Sequence, residues 1–371
     1  MSQRLQIMGL RLLAPIAAVA FALLVSGLVL KASGSDPFEA FRLMWDFGTT
    51  EQSIASIVDR SVPLYLSGVA FAVAFKMGLF NIGVEGQYTI AVVMAAYVGA
   101  AVELPPVLHV GLILAVAIAT GMVWGAIPAV LKVTRGVHEV ISTIMLNAIA
   151  TFLVSYLLAN HFLDRSDDTL NLQTAKIAES GRFPELLDLG PNAMINGIVL
   201  VAAAVGVAYY LLIWRTRFGY DLRASGLNPL AAQASGVAPK AMIVKGMVLS
   251  GAVAGLVGIP TLLGFSYNYG LDFGTGLGFT GITVALLGRN HPIGIAIGAL
   301  LLAFLDRSAQ ILDLNDIAKE IVVIMEGVIV LSVVIAYELV QRVIERQQRR
   351  LIADEAPPPE SPAVTTAGAP A

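Results

Sequence analysis

Asn81, Glu85 and Gln87 place an amide, a carboxylate and a second amide inside the stretch MGLFNIGVEGQYTI (residues 77–90), which is otherwise apolar and broken by Gly78, Gly83 and Gly86. A second polar set lies in GVHEVISTIMLN (136–147), where His138 and Glu139 stand at the start of an apolar run and Thr143 and Asn147 share a helix face at i, i+4. A third, GFSYNYGLDFGTGLGFTG (264–281), carries Phe265, Tyr267, Asn268, Tyr269 and Asp272. Amides and aromatic faces of this kind suit hydrogen bonding and stacking to a polar solute. They equally suit the repair of backbone groups freed where a helix breaks. No arrangement among them pairs a nucleophile with a base, and no catalytic residue is expected. Walker A, HExxH, GxSxG and EF-hand patterns are absent, so this chain is not expected to hydrolyse ATP by itself. With no cysteine and four scattered histidines, no metal site is expected. Gly276, Gly278 and Gly281 form a GxGxxG, but a dinucleotide site needs a strand before it, a helix after it and an acid about 20 residues on. Here apolar runs lie on both sides, and the motif is set aside.

The elements that must position these groups follow from composition. The chain has 371 residues, 57% hydrophobic and 13% charged, with a net charge of −3; its mean hydropathy is +0.79. A soluble domain carries about a quarter charged residues. The class expected is all-α, a polytopic membrane protein, and the charge gives no reason to expect nucleic acid. At about 20 apolar residues per span, helices are expected near 10–30, 61–77, 86–102, 107–131, 139–159, 196–214, 243–264, 277–288, 292–306 and 318–340, about ten in all. The run from Leu12 to Leu30 is too long for a secretory h-region and lacks a clear cleavage site, so it reads as an uncleaved first span. The Lys and Arg balance favours cytoplasmic N- and C-termini, with Lys76, Lys132, Arg135, Arg215, Arg217 and Arg223 inside. Residues 1–352 then form one transmembrane domain. An external loop occupies 160–195 and a cytoplasmic loop 215–242. The Pro/Ala-rich tail 353–371 is expected to be disordered. Within 31–60 an external amphipathic helix carrying Phe38, Phe41, Leu43, Met44 and Trp45 is expected.

A carboxylate at membrane depth costs several kcal/mol, roughly, unless it is paired or hydrated. Glu85 and Gln87 are therefore read as polar braces of a broken helix, with path lining as the alternative. For Asn81 both readings stand. Asn147 either bonds a neighbouring helix or touches a solute. Residues 264–281 are too glycine-rich for a straight helix and form either a bend facing a path or an ordinary external loop. GxxxG spacing at Gly121/Gly125, Gly251/Gly255 and Gly294/Gly298 implies close helix packing.

Together GLFNIGVEGQ, GVHEVISTIMLN and RASGLNPLAAQASGV resemble the permease subunits of bacterial ABC importers for nucleosides and simple sugars, within the branched-chain amino acid/ribose permease superfamily. The resemblance spans roughly residues 55–340. It implies a type II importer-like permease fold in the bacterial inner membrane, surrounded by lipid. It also implies partners: a second permease subunit, with a heterodimer favoured, two cytosolic ATPases that hold ATP and Mg, and an extracytoplasmic binding protein. No cofactor is implied on this chain. NPLAAQASGV becomes a coupling helix that docks on the ATPase, started by Asn228 and Pro229, made flat by Ala231 and Ala232, and ended by Gly236. For a nucleoside, Phe80, Asn81, Asn147, Phe265, Tyr267 and Asn268 are the expected path residues. The rivals are a branched-chain amino acid or ribose permease of the same superfamily, an ion-coupled secondary transporter using Glu85, and a non-transporting scaffold.

Overall fold

The computed structural model describes residues 20–164, 172–188, 194–315, 317 and 320–355. The chain divides into two compact units, one of Ser26–Glu326 and one of Met1–Val25 with Gly327–Ala371. Everything that concerns a candidate site lies in the first. In chain order the helices are α1 (Ala20–Ala32), α2 (Pro37–Gly48), α3 (Glu51–Phe75), α4 (Val84–Ala101), α5 (Pro106–Arg135), α6 (Glu139–Leu157), α7 (Ile198–Arg215), α8 (Arg217–Leu227), α9 (Pro229–Ala234), α10 (Pro239–Ala254), α11 (Ile259–Thr261), α12 (Leu277–Leu287), α13 (Pro292–Asp313) and α14 (Glu320–Glu355). Wider π-type turns extend α6 over Leu158–Phe162 and α11 over Leu262–Ser266. Among the described residues two strands form an antiparallel pair, β1 (Glu185–Asp188) and β2 (Met194–Asn196), and an isolated antiparallel bridge joins Gln173 to Gly270. Among the described residues six helical stretches are long and apolar enough to cross a membrane, and α1 and α12 are shorter apolar helices.

Several expected boundaries move. The helix expected at 61–77 begins ten residues earlier, at Glu51, where the Thr50 hydroxyl accepts from the Ser53 amide at 3.3 Å. Its first turns carry Ser53, Ser56, Asp59 and Arg60, polar residues that hide a helix from a hydropathy window. The amphipathic helix expected in 31–60 is confined to α2, which starts at the Asp36 cap and ends at Gly48. Phe38 and Trp45 point outward, while Met44 is buried and its carbonyl accepts from Ser308 of α13. The loop 215–242 is mostly helical, as α8 and α9. The helix expected at 318–340 continues to Glu355, so the expected tail begins later than 353 and its residues 356–371 lie outside the described ones. The first part of the expected span 10–30 lies outside them too.

The core is built on close approach. A Cβ at Gly121 of α5 would lie 2.1 Å from the Gly251 carbonyl of α10, and one at Gly255 would lie 2.1 Å from the Ala117 carbonyl. The two GxxxG pairs therefore face each other, and α5 and α10 touch backbone to backbone. Gly281 does the same for α12 on Ser67 of α3, and Gly294 for α13 on the Gly288 carbonyl. α3 is buried along most of its length and is the post around which the others stand. α5, α6 and α7 keep broad apolar faces exposed.

Candidate functional site

The break between α3 and α4 is closed by side chains. Asn81 is fully buried. Its Oδ1 accepts from the Gly83 amide at 3.1 Å and from Gln87 Nε2 at 3.2 Å. Its Nδ2 donates to Gln87 Oε1 at 3.1 Å and to Ser250 Oγ at 2.8 Å. The Ser250 hydroxyl in turn donates to the Ala70 carbonyl at 2.6 Å. The two amides, α3 and α10 thus form one buried network, with both the carbonyl and the amino group of Asn81 engaged. From outside the break, Asn147 of α6 takes the Gly86 amide on Oδ1 at 2.9 Å and gives Nδ2 to the Ile82 carbonyl at 3.0 Å. Freed backbone groups in an apolar setting need such partners.

Glu85 faces the other way. Its Oε1 accepts from the Gly276 amide at 2.7 Å and its Oε2 from the Gly278 amide at 2.8 Å. Tyr88 adds a hydroxyl, 3.1 Å from Glu85 Oε1 and 3.0 Å from the Gly274 carbonyl. The carboxylate therefore caps the N-terminus of α12, where unpaired amides and the helix dipole favour negative charge. Burying a carboxylate in a span costs about 3 kcal/mol on insertion scales. Each charge-assisted hydrogen bond returns ~1.5–3 kcal/mol, so two amides and a dipole offset the cost. The GxGxxG glycines are explained here: a Cβ on Gly278 would lie 2.4 Å from the Glu85 amide nitrogen. They permit contact between helices rather than approach to a phosphate.

The six expected path residues are not brought together. Asn81 and Asn147 sit in the break as described. Phe80 packs edge-on against Phe71 with ring centroids 4.9 Å apart. Tyr267 adopts the left-handed region at φ 56°. Its ring lies 4.2 Å beneath the Arg182 guanidinium, and its carbonyl accepts from the Ile177 amide at 2.8 Å. Asn268 donates to Gln173 Oε1 at 2.9 Å. The stretch 264–281 bends at Tyr267 after the π-type turn and is zipped to residues 173–177. Phe265 alone borders a cavity, one of about 450 Å³ between α3, α11, α12, α13 and the start of α14.

That cavity contains what the sequence reading missed: Asp59, Arg60, Asp306 and Glu326 line it. Arg60 pairs with Asp306 at 2.8 Å. Asp59 is 4% exposed and receives the Asn196 side-chain amide at 3.4 Å. A signal was available. Each is an ionisable residue inside an apolar run, and Asp-Arg-Ser recurs at 59–61 and 306–308. His109 was also passed over: fully buried, it donates Nε2–H to the Gly99 carbonyl at 2.8 Å and takes the Ser180 hydroxyl on Nδ1 at 2.8 Å. That bond ties the 172–188 segment to α5. Among the described residues no three of the His, Cys, Asp or Glu side chains stand close enough together to hold a metal ion.

At the opposite end, Asn228 Oδ1 accepts from the Ala231 amide at 3.1 Å and Pro229 opens α9. Gly236 follows at φ 82°, a conformation that suits glycine, and the Val237 amide returns to the Ala232 carbonyl at 3.0 Å. Ala231 is exposed and Ala232 is buried. Leu230 is 78% exposed. Beside α9 runs a groove of about 680 Å³ bordered by Met77, Leu79, Lys132, Leu230 and Lys240. The α5–α6 turn next to it is held by Lys132 and Glu139, 2.5 Å apart.

A family profile described as "Branched-chain amino acid transport system / permease component" matches residues 53–334. The chain is 36% identical over 334 residues to a guanosine ABC transporter permease protein of Bacillus subtilis, covering 88% of this chain and 94% of that one. It is 30% identical over 335 residues to a nucleoside ABC transporter permease protein of Lactococcus lactis, covering 88% and 92%. A glucose ABC transporter permease protein of Haloferax volcanii is 34% identical over 300 residues, covering 78% of each chain.

Proposed function

The chain belongs to the branched-chain amino acid transport system / permease component family, and from that premise we propose that it is the nucleoside-conducting permease subunit of an ABC importer. The observation that carries the reading is similarity along almost the full length of two permeases named for guanosine and nucleosides. Composition supports the division of labour: a multi-pass chain without a Walker A motif depends on a partner for ATP and Mg. The chain carries no cofactor of its own.

The mechanism is mechanical. A binding protein delivers solute to the end that carries the 172–188 segment and the β1–β2 pair, which faces outward. ATP closes the partner ATPases at the opposite end, the cytoplasmic one; the Lys and Arg balance assigns both termini to the cytoplasm as well. α9, exposed and capped by Asn228 and Gly236, takes up that motion as the coupling helix, with Pro229 and Ala231 shaping its contact; Ala232, expected on the same flat face, is turned inward and buried instead. The movement reaches the interior through the 76–83 turn, against which α8 packs: a Cβ on Gly226 would lie 2.7 Å from the Met77 backbone. Glu85, Gln87 and Asn81 act as braces that keep the broken helices moving as units. The solute passes beside a second permease subunit, in a heterodimer of type II importer-like fold with about ten spans each. Of the six expected path residues, Phe265 keeps the assignment on its exposure to the cavity. Phe80, Asn147, Tyr267 and Asn268 would reach the path only in another conformation.

The test is uptake of radiolabelled guanosine and uridine in cells lacking this gene, and again after its return. Uptake lost and regained is expected; unchanged uptake refutes the reading. A sugar substrate is the second reading, favoured by the Haloferax relative; labelled glucose in the same cells decides between the two.

A further inference from the structure

The cavity beside Phe265 combines three features that bear on what it takes. It is of ligand size, about 450 Å³, within the range of ~300–1,000 Å³ usual for small-molecule sites. Its wall is largely apolar, with Pro63, Leu64 and Pro260 beside a Phe265 ring that is 44% exposed. It also holds four ionisable side chains, in a setting where such groups are costly and mark solute or ion paths. Arg60 and Asp306 satisfy each other at 2.8 Å. Asp59 accepts from Asn196 and lies within reach of the Arg60 charge. Glu326 borders the cavity and makes no hydrogen bond or ion pair among the described residues. Three carboxylates therefore stand against one guanidinium.

Resting on the nucleoside reading above, we propose that this cavity is the solute site of the permease and admits the neutral nucleoside while rejecting its phosphate ester. The base lies on the Phe265 ring, an apolar face against a flat aromatic. Ribose hydroxyls donate to the free carboxylate oxygens of Asp59 and Glu326, strong acceptors for O–H groups. A phosphate finds no unpaired cation in this wall, since the one guanidinium is already held by Asp306, and the carboxyl groups around it oppose a further negative charge in a low-dielectric setting. A dephosphorylating reaction must then supply the substrate outside the cell.

The test uses the purified permease assembly without its binding protein, so that selection upstream does not intervene. Saturation-transfer NMR with uridine, uridine monophosphate and 2′,3′-dideoxyuridine reads weak occupancy directly. Uridine is expected to bind at least about tenfold better than either analogue, the scale of one charged hydrogen bond. Phe265→Ala is expected to remove transfer to the base protons, and Glu326→Gln to weaken uridine about tenfold while leaving the dideoxy analogue unaffected. Glu326→Asp, which keeps the charge, and unchanged melting temperatures guard against misfolding. Equal binding of the monophosphate overturns the proposal. So does uridine binding untouched by both substitutions, and so does a site that binds sodium and not uridine. If deleting the gene abolishes uptake yet these variants change nothing, the cavity assignment falls alone; if deletion changes nothing, the nucleoside reading falls first.

Discussion

Glu85 shows how much one side chain can hold. It belongs to the first turn of α4 and caps a helix almost two hundred residues away in sequence. Glu85→Ala leaves two amides of α12 without partners, and a loss of about 3 kcal/mol is expected, read as a lower melting temperature in detergent. Glu85→Gln keeps one acceptor oxygen and should recover part of that loss. A variant as stable as the parent would show that the carboxylate is not a brace. Asn81 makes the same case inside the buried network, since Asn81→Ala leaves the Gln87 amide and the Gly83 amide without their partner. The polar residues themselves were legible because each interrupts an apolar run. Their partners were not: Ser250 for Asn81 and Gly276 for Glu85 are set by how distant segments fold together.

Helix contacts depend on bare backbone at a few places. Gly121→Ala puts a methyl group 2.1 Å from the Gly251 carbonyl, and neither helix backbone can yield. Overpacking of this kind costs ~1–3 kcal/mol or more, and the folded yield after detergent extraction should fall sharply. A matching Gly111→Ala, where no atom lies within 4 Å, should be neutral. α9 is tested separately. Asn228→Ala removes the cap and Gly236→Ala forces a side chain into positive φ, each worth about 1 kcal/mol. A six-residue helix has little else to hold it. Co-purification of the ATPase with the double variant should fall while the membrane abundance of this chain stays normal; retained attachment would remove α9 from the coupling role. The ends of α9 were readable from Asn-Pro and Ala-Ser-Gly. The early start of α3 was not, because its first turns are polar, and a hydropathy window cannot tell a polar turn facing a cavity from a loop.

Taken whole, the molecule is a permease subunit without an engine, and its transport should follow its partner's fuel. Uptake is expected to stop when cellular ATP is depleted and to persist when a protonophore collapses the membrane potential; the reverse result would restore the ion-coupled rival. Membrane class, helical content, the family, the breaks near 81 and 267 and the close-packing glycines were determined by sequence alone, because each rests on local composition or on a contiguous motif. The tertiary structure decided which polar residues meet. It spent Asn81, Asn147 and Asn268 on backbone and neighbouring side chains, and it gathered Asp59, Arg60, Asp306 and Glu326 from three helices around one cavity. The reason is physical. In an apolar medium every polar group must find a partner, so its role depends on which partner comes within about 3 Å, and that is a property of the assembled helices rather than of any one segment.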